Sequence, residues 1–229
     1  IFCDIDNSFL LDLKNLKNEI KKIKVKKNKI KFIIPVSNYG NIVNIQYLKT
    51  FCKKNKLIPL LDSAPAFGSK YKGVYPNNLG IDEIYSFHAT KIMSSMEGGC
   101  AVTNNKKIHD LLVYLRDFGQ FEKKFGNIKL PGLNSKMQEI SAIVGDYNLK
   151  NFSKVLKTRF NIIKKYEVFF NKFKKKKIFT LMDVDKNVSC CYLYFPIIVN
   201  KKNLKFQNYL KKNNISFRRY YTSVHDLDF

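Results

Sequence analysis

Short apolar runs alternate with amphipathic helical patterns over the first two thirds of this chain. The runs are rich in β-branched and other apolar residues and are too short for helices, so each one predicts a buried β-strand. Buried strands separated by helices form βαβ units, whose sheet is mainly parallel and flanked by helices. We therefore expect an α/β fold in which ligands bind at the carboxyl ends of the strands. The predicted strands cover residues 29–36, 57–61, 83–87 and 99–103, and the predicted helices cover residues 42–52 and 106–118.

A second unit follows this alternation. Apolar residues recur at helical spacing over residues 137–172, which predicts a long helix leading out of the first unit. We expect residues 1–150 to form a large ligand-binding domain and residues 151–229 to form a small α+β domain. The elements predicted after the long helix are a strand at residues 191–199, a helix at 202–212 and a strand at 215–218.

The two ends of the chain predict a fragment. The sequence begins with Ile1 instead of Met and ends at Phe229 without a helix stop, so we expect both domains to be incomplete. No apolar run approaches the length of a membrane span, and no signal peptide opens the chain. The sequence therefore predicts no membrane partner.

The chain is strongly basic, with 42 Lys and Arg against 18 Asp and Glu and a net charge of +24. Such a balance is typical of proteins that bind nucleic acid or an anionic surface. The excess is nearly all lysine, spread along the chain among many Asn, Ile and Phe residues, which indicates biased composition. Neither an arginine-rich element nor the interleaved basic and aromatic residues of a nucleic-acid groove is present. We expect no nucleic-acid partner, and a basic nucleic-acid-binding protein is the least favoured alternative.

The five cysteines predict reduced thiols. They show no CxxC pair and no spacing with histidines that suits a metal, and most lie inside apolar runs. An odd count of this kind argues against a disulfide framework and against a zinc site. We therefore expect a cytoplasmic protein without a metal. The cysteines are Cys3, Cys52, Cys100, Cys190 and Cys191.

An acid and a lysine carry the strongest functional signal. Asp62 ends the apolar run at residues 57–61, and Lys91 follows 29 residues later, at the end of a Ser-Phe-His-Ala-Thr-Lys segment. Pyridoxal phosphate needs both groups, because the amine bonds to its aldehyde and the carboxylate keeps its ring nitrogen protonated. Taken singly, neither residue is specific. A lysine-rich chain can place a lysine there by chance, and an aspartate at a strand end can serve as a cap or turn residue.

Five segments, in this order, resemble the DegT/DnrJ/EryC1/StrS family. These are pyridoxal-phosphate-dependent aminotransferases that act on nucleotide-linked keto sugars. The resemblance implies a type I aminotransferase-like large domain, with the family's cofactor bound in residues 1–150. The segments are Asp62-Ser-Ala-Pro-Ala-Phe-Gly68, Ile84-Tyr-Ser-Phe-His-Ala-Thr-Lys91, Glu97-Gly-Gly99, Arg116-Asp-Phe-Gly119 and Gly132-Leu-Asn-Ser-Lys-Met137.

The resemblance implies a role for each matching residue. Lys91 would bond to the cofactor and then move the proton, while Asp62 would face the pyridine nitrogen. Ser86 would hydrogen-bond the cofactor phosphate, unless it is an ordinary serine at a strand end. Asn134 would reach the phosphate of the neighbouring subunit, which implies a homodimer with shared active sites, unless it is a turn residue beside glycine. His88 would brace the loop and take no part in the chemistry.

The resemblance implies transfer of an amino group, with glutamate as the expected donor, to a keto sugar on a nucleotide diphosphate. Such a reaction belongs to the biosynthesis of amino sugars and cell-surface polysaccharide, including lipopolysaccharide. A sugar dehydratase of the same family is the alternative, although that branch usually has histidine in place of the lysine that Lys91 retains. Two positions depart from the family pattern. Pro65 stands where many members have Gln or His, and Ser37 stands where histidine is frequent. Because the family's phosphate-cradling turn lies upstream of residue 1, we expect this chain alone to be inactive.

Overall fold

The computed structural model describes residues 2–22, 30–121, 126–173, 177–200 and 202–219. Helices and strands alternate at first, as the sequence predicts, but residues 58–102 then hold four strands with no α-helix between them. The helices are α1 (Leu16–Lys22), α2 (Ile45–Asn55), α3 (Lys106–Arg116), α4 (Glu139–Asn171) and α5 (Asn203–Lys212). The strands are β1 (Phe32–Ile33), β2 (Ile58–Asp62), β3 (Lys70–Tyr71), β4 (Asp82–Ser86), β5 (Gly99–Val102), β6 (Phe179–Leu181), β7 (Val188–Ser189) and β8 (Ile197–Val199).

The central sheet has the strand order β1-β2-β4-β5. The first three strands are parallel, which confirms the mainly parallel sheet predicted from the sequence. Strand β5 runs antiparallel to β4 instead. Residues 87–98, which join the two, form a loop without a helix, and a parallel return needs a longer crossover connection.

Helix α2 shows how the sequence builds the core beneath this sheet. The Asn44 side chain accepts a hydrogen bond from the Tyr47 backbone N–H, which caps the first turn. Ile45 and Leu48 lie on one face of the helix and are buried together with Leu61 of β2. The apolar spacing in the sequence therefore packs α2 onto β2 of the sheet.

Helix α4 is continuous over 33 residues. The domain boundary predicted at residue 150 lies within it and stays a prediction. The Arg159 side chain donates hydrogen bonds to the backbone carbonyls of Tyr192 and Leu193, so the helix is attached to the segment that follows β7. No helix in the described ranges is long and apolar enough to cross a membrane.

The C-terminal elements are partly as predicted. Strands β6 and β8 form an antiparallel pair and α5 follows them, as expected for an α+β unit. The predicted strand at residues 191–199 is confined to β8, because the preceding residues bind elsewhere. The Cys191 N–H donates to Ser69 Oγ at 2.9 Å, and the Leu193 N–H donates to the Tyr39 carbonyl at 2.8 Å.

The strand predicted at residues 215–218 is wrong. These residues have no strand pairing in the described part of the chain. The Ile215 N–H donates to the Leu210 carbonyl at 2.9 Å and so closes the end of α5. Ile215 and Phe217 are exposed, and β-branched or aromatic residues form a strand only where a neighbouring strand offers hydrogen bonds.

Candidate active site

Asp62 is the last residue of β2, at the carboxyl edge of the parallel strands. It pairs with Ile84 of β4 on one side and with Val36 on the other, so it occupies the middle of this edge. Its backbone N–H donates to the Pro35 carbonyl at 3.0 Å. Its carboxylate Oδ1 accepts a hydrogen bond from the Ala64 N–H at 3.1 Å. The backbone and one carboxylate oxygen are therefore both held in place.

Ser86 lies on the same face of the sheet, at the end of β4. It is two residues beyond Ile84, the partner of Asp62, and side chains alternate along a strand, so Ser86 is about 7 Å further along that face. Its Oγ accepts a hydrogen bond from the His88 N–H at 3.3 Å. The role of Ser86 at the cofactor phosphate stays a prediction.

Lys91 lies in the loop that leaves β4 directly after Ser86. The Lys91 N–H donates to the His88 carbonyl at 2.9 Å, and the base of the loop is closed by the Phe87 N–H, which donates to the Gly98 carbonyl at 2.8 Å. The Ser95 N–H donates back to the Phe87 carbonyl at 2.8 Å. These bonds fold residues 87–98 into a compact turn that begins directly after Ser86.

His88 forms its contacts within residues 87–98, the loop that carries Lys91 and is here called the lysine loop. Its Nδ1 accepts a hydrogen bond from the Thr90 N–H at 3.2 Å and lies 2.9 Å from the Thr90 hydroxyl. Its Nε2 lies 3.6 Å from a Glu97 carboxylate oxygen. Because Nδ1 accepts a hydrogen bond from the Thr90 backbone N–H, the proton of the neutral ring belongs on Nε2, where it faces Glu97. Both nitrogens are thus engaged by the loop itself.

Two atoms at this edge have no partner among the described residues. Lys91 Nζ makes no hydrogen bond or ion pair there, and neither does the second carboxylate oxygen of Asp62, Oδ2. A free amine and a free carboxylate oxygen, both partly buried, are what the aldehyde and the ring nitrogen of pyridoxal phosphate require. The residues present therefore fit this cofactor.

Asn134 lies on a different segment, between α3 and α4. It pairs with Asp117, whose carboxylate also accepts a hydrogen bond from Lys136 Nζ at 2.6 Å. Its side chain is exposed, and within the described ranges it makes no hydrogen bond with Asp62, Ser86 or Lys91. The roles predicted for the four residues stay predictions. Asp62 and Ser86 lie at one edge of the sheet, and Lys91 lies in the loop that leaves this edge after Ser86.

The comparison with family profiles decides the relationship. The profile of the DegT/DnrJ/EryC1/StrS aminotransferase family matches residues 1–229. The chain belongs to this family. The predicted family is confirmed, and so is pyridoxal phosphate as the cofactor of this family.

Curated DegT-family relatives act on nucleotide sugars. The chain is 32% identical over 197 residues to a dTDP-4-amino-4,6-dideoxy-D-glucose transaminase of Shigella dysenteriae, covering 84% of this chain and 52% of the relative. It is 30% identical over 205 residues to a UDP-4-amino-4,6-dideoxy-N-acetyl-beta-L-altrosamine transaminase of Helicobacter pylori, covering 88% of this chain and 52% of the relative. The chain thus spans about half the length of the curated relatives it matches.

Solved structures of the DegT family share the fold. Helicobacter pylori PseC, an aminotransferase of pseudoaminic acid biosynthesis, matches with a TM-score of 0.77 and 26% identity over 93% of this chain and 56% of PseC. A DegT/DnrJ/EryC1/StrS aminotransferase from Brucella abortus matches with a TM-score of 0.80 and 20% identity, covering 93% of this chain and 56% of that structure. The predicted α/β fold class is confirmed.

The two departures from the DegT pattern lie beside Asp62. Proline at position 65 has no side-chain donor, and its carbonyl lies 3.7 Å from the Cys191 Sγ. The Ser37 N–H donates to the Asp62 carbonyl at 2.8 Å. The Ser37 hydroxyl is buried and, among the described residues, has no hydrogen-bond partner. Neither side chain supplies a hydrogen bond to the site from where it lies.

Sequence reasoning missed Glu83, a buried carboxylate on β4. Burial raises the pKa of Glu83 above its ordinary value, and hydrogen bonds from Ser63, Tyr85 and the Asn77 N–H oppose that rise. The signal that could have revealed it is an acid inside a predicted buried strand, where an apolar residue is the ordinary choice.

A cavity of about 370 Å³ lies away from this edge. It is lined by residues of the N-terminal segment, of the turn before α2 and of the segment before β7, including Asp6, Asn41 and Asp183. None of the four predicted site residues lines it. We therefore assign the candidate site to the strand edge, where the reactive groups lie.

Gly119 is expected to be essential for the segment that carries Asn134. Its φ is +72°, and a Cβ there would overlap the Leu130 carbonyl oxygen. Gly126, with φ +83°, has no atom of the described residues within 4 Å of such a Cβ, so it is a matched control for the backbone strain alone. We expect Gly119→Ala to lower the free energy of unfolding by about 3 kcal/mol and Gly126→Ala by about 1 kcal/mol. Urea denaturation measures both, and equal losses would contradict the overlap.

Proposed function

We propose that the protein transfers an amino group from glutamate to a keto sugar carried by a nucleotide diphosphate, using pyridoxal phosphate. The observation that carries this proposal is the free Lys91 amine beside the strand edge where Asp62 presents a free carboxylate oxygen. The names of the similar curated transaminases support the substrate class.

Each residue would contribute one physical interaction. Bound pyridoxal phosphate supplies an electron sink for the carbon that gains or loses the amino group. Lys91 would bond to its aldehyde and, once released, carry a proton between the substrate carbon and the cofactor. Asp62 Oδ2 would accept the hydrogen bond of the ring N–H and hold that proton by its negative charge. The Ser86 hydroxyl would donate to a phosphate oxygen.

Activity is tested with protein expressed over its full open reading frame. A panel of dTDP-, UDP- and GDP-linked 4-keto-6-deoxy sugars is incubated with glutamate, and mass spectrometry detects the amino sugar. We expect one or more substrates to gain the amino group, with stoichiometric formation of 2-oxoglutarate. Loss of a hydroxyl from the sugar without amino transfer would instead support the dehydratase alternative. A solved dehydratase has the same fold as this chain.

We further propose that the protein is a homodimer in which Asn134 serves the partner's site. An apolar surface lies beside Asn134 at the start of α4, where Ile140, Ile143 and Tyr147 are 68%, 69% and 68% exposed. These residues recur at helical spacing and form one apolar stripe, a surface that the face of a second helix can cover.

We also propose a cytoplasmic location and a role in lipopolysaccharide synthesis. The free cysteines support the location, and the substrates of the relatives support the role.

Substituting one residue of this stripe is expected to weaken the dimer. Ile143→Lys places a charge in the proposed interface, so we expect the dissociation constant of the dimer to rise at least about 30-fold. Ile162→Lys, at an exposed position further along α4, is the matched control and is expected to leave it unchanged. Analytical ultracentrifugation measures the constant. A dimer insensitive to Ile143→Lys would place the interface elsewhere.

A further inference from the structure

Glu83 is a carboxylate that is only 1% exposed. Its Oε1 accepts hydrogen bonds from Ser63 Oγ at 2.8 Å and from the Tyr85 hydroxyl at 2.9 Å. Its Oε2 accepts one from the Asn77 N–H at 2.8 Å. Within the described residues it has no cationic partner. Burying a charge without a cation costs free energy that an apolar residue at this strand position would avoid. The three hydrogen bonds that Glu83 accepts offset part of this cost, and an apolar core residue at the same position could not make them.

Glu83 lies on the opposite face of the sheet from Asp62. It pairs with Leu61, whereas Asp62 pairs with Ile84, and successive residues of a strand point to opposite faces. A cofactor bound on the Asp62 face therefore does not contact Glu83. Any effect of Glu83 on that site must pass through the backbone that joins the two faces.

Ser63 supplies that connection. It directly follows Asp62, and β4 holds it twice, because its N–H donates to the Ile84 carbonyl at 2.9 Å and its hydroxyl donates to Glu83. The next residue, Ala64, donates its N–H to Asp62 Oδ1 at 3.1 Å. The turn that orients the Asp62 carboxylate is thus anchored on its far side by the Glu83 carboxylate.

We propose that Glu83 is a positioning residue for Asp62, acting through Ser63 to fix the turn whose Ala64 N–H orients the Asp62 carboxylate. The proposal rests on the proposed function for its effect on cofactor binding, since Asp62 faces the cofactor only if that function is correct. Its effect on the turn itself does not depend on the cofactor. The two effects can therefore be measured separately.

Tyr85 provides a matched control within the same cluster. Ser63→Ala and Tyr85→Phe each remove one hydroxyl from the same carboxylate oxygen, but only Ser63 belongs to the turn. The phenylalanine keeps the ring packing with Phe67, whose centroid lies 5.3 Å from that of Tyr85. A general loss of a buried hydrogen bond would affect both variants alike.

The experiment has two readouts on protein expressed over its full open reading frame. Hydrogen exchange by mass spectrometry, on the cofactor-free protein, follows the peptide covering residues 61–66. Absorbance titration with pyridoxal phosphate gives the dissociation constant and the absorption maximum of the bound cofactor as a function of pH. For Ser63→Ala we expect the peptide of residues 61–66 to exchange about tenfold faster and the dissociation constant of pyridoxal phosphate to be about tenfold higher. We also expect the pH dependence of the absorption maximum to shift. For Tyr85→Phe we expect less than about a twofold change in each.

Ser63→Thr retains the hydroxyl and is expected to restore the wild-type values. If Ser63→Ala does not fold, Ser63→Cys replaces it, because a thiol donates only weakly. Unchanged exchange in the Ser63 variant, or equal changes in both variants, would overturn the proposal. Wild-type protein that binds no pyridoxal phosphate would refute the proposed function instead, while the exchange readout would still decide the role of Glu83.

Discussion

Lys91→Ala is expected to abolish amino transfer, lowering kcat by about 10³-fold or more, because the substitution removes both the covalent attachment and the group that moves the proton. Lys91→Arg should be equally inactive, since a guanidinium keeps the charge but stays protonated and does not attack an aldehyde. Borohydride reduction followed by peptide mapping is expected to find the cofactor on the peptide containing Lys91 in the wild type and on no peptide in either variant.

Lys106→Ala is the control for this experiment. Lys106 is exposed at the start of α3, where it pairs with Asp110 at 3.0 Å, and its removal should leave both activity and trapping unchanged. Trapping of the cofactor on any lysine other than Lys91 would show that the site has been placed wrongly.

Asp62→Asn is expected to lower kcat by about 10²- to 10³-fold, because the amide keeps the size of the side chain but not the negative charge that holds the ring proton. The amide oxygen can still accept the Ala64 N–H, so the turn should persist and the loss should be electrostatic. Steady-state kinetics and the absorption spectrum of the bound cofactor measure it.

Asp82→Asn is the matched control for Asp62→Asn. Asp82 is the first residue of the neighbouring strand β4, whose last residue is Ser86. Asp82→Asn therefore removes one negative charge from the same sheet, as Asp62→Asn does. We expect its activity to stay within about twofold of the wild type. Similar losses in the two variants would mean that the net charge of the sheet, and not a contact of Asp62, supports the reaction.

Local periodicity was sufficient to predict the elements that build the candidate site. Helices α2 and α3 and strands β2 and β4 lie where the spacing of apolar residues places them. Asp62 could be assigned to a strand end because its run of apolar residues stops there. The free atoms of Asp62 and Lys91 are a property of the fold, which sequence alone does not give.

The remaining features depend on long-range contacts. The direction of β5 follows from the absence of a crossover helix, and residues 191–193 are buried against residues remote in sequence. Glu83 was missed because two of its three donors, Ser63 and Asn77, lie 20 and 6 residues away in the sequence. The sequence does not reveal that this buried acid accepts hydrogen bonds, because only the fold places the donors next to it.

The length of α4 has a mechanical consequence. Near one end, the Asn148 side chain donates to the Ser94 carbonyl of the lysine loop at 2.8 Å, and the helix continues to Asn171. That span is roughly 35 Å at 1.5 Å per residue, so a pivot of about 5° at Asn148 displaces the far end by about 3 Å. The hydrogen bonds from Arg159 to the Tyr192 and Leu193 carbonyls lie between these two points and oppose such a pivot. A displacement of the distant end would therefore reach the loop of residues 87–98 through the hydrogen bond of Asn148 to Ser94.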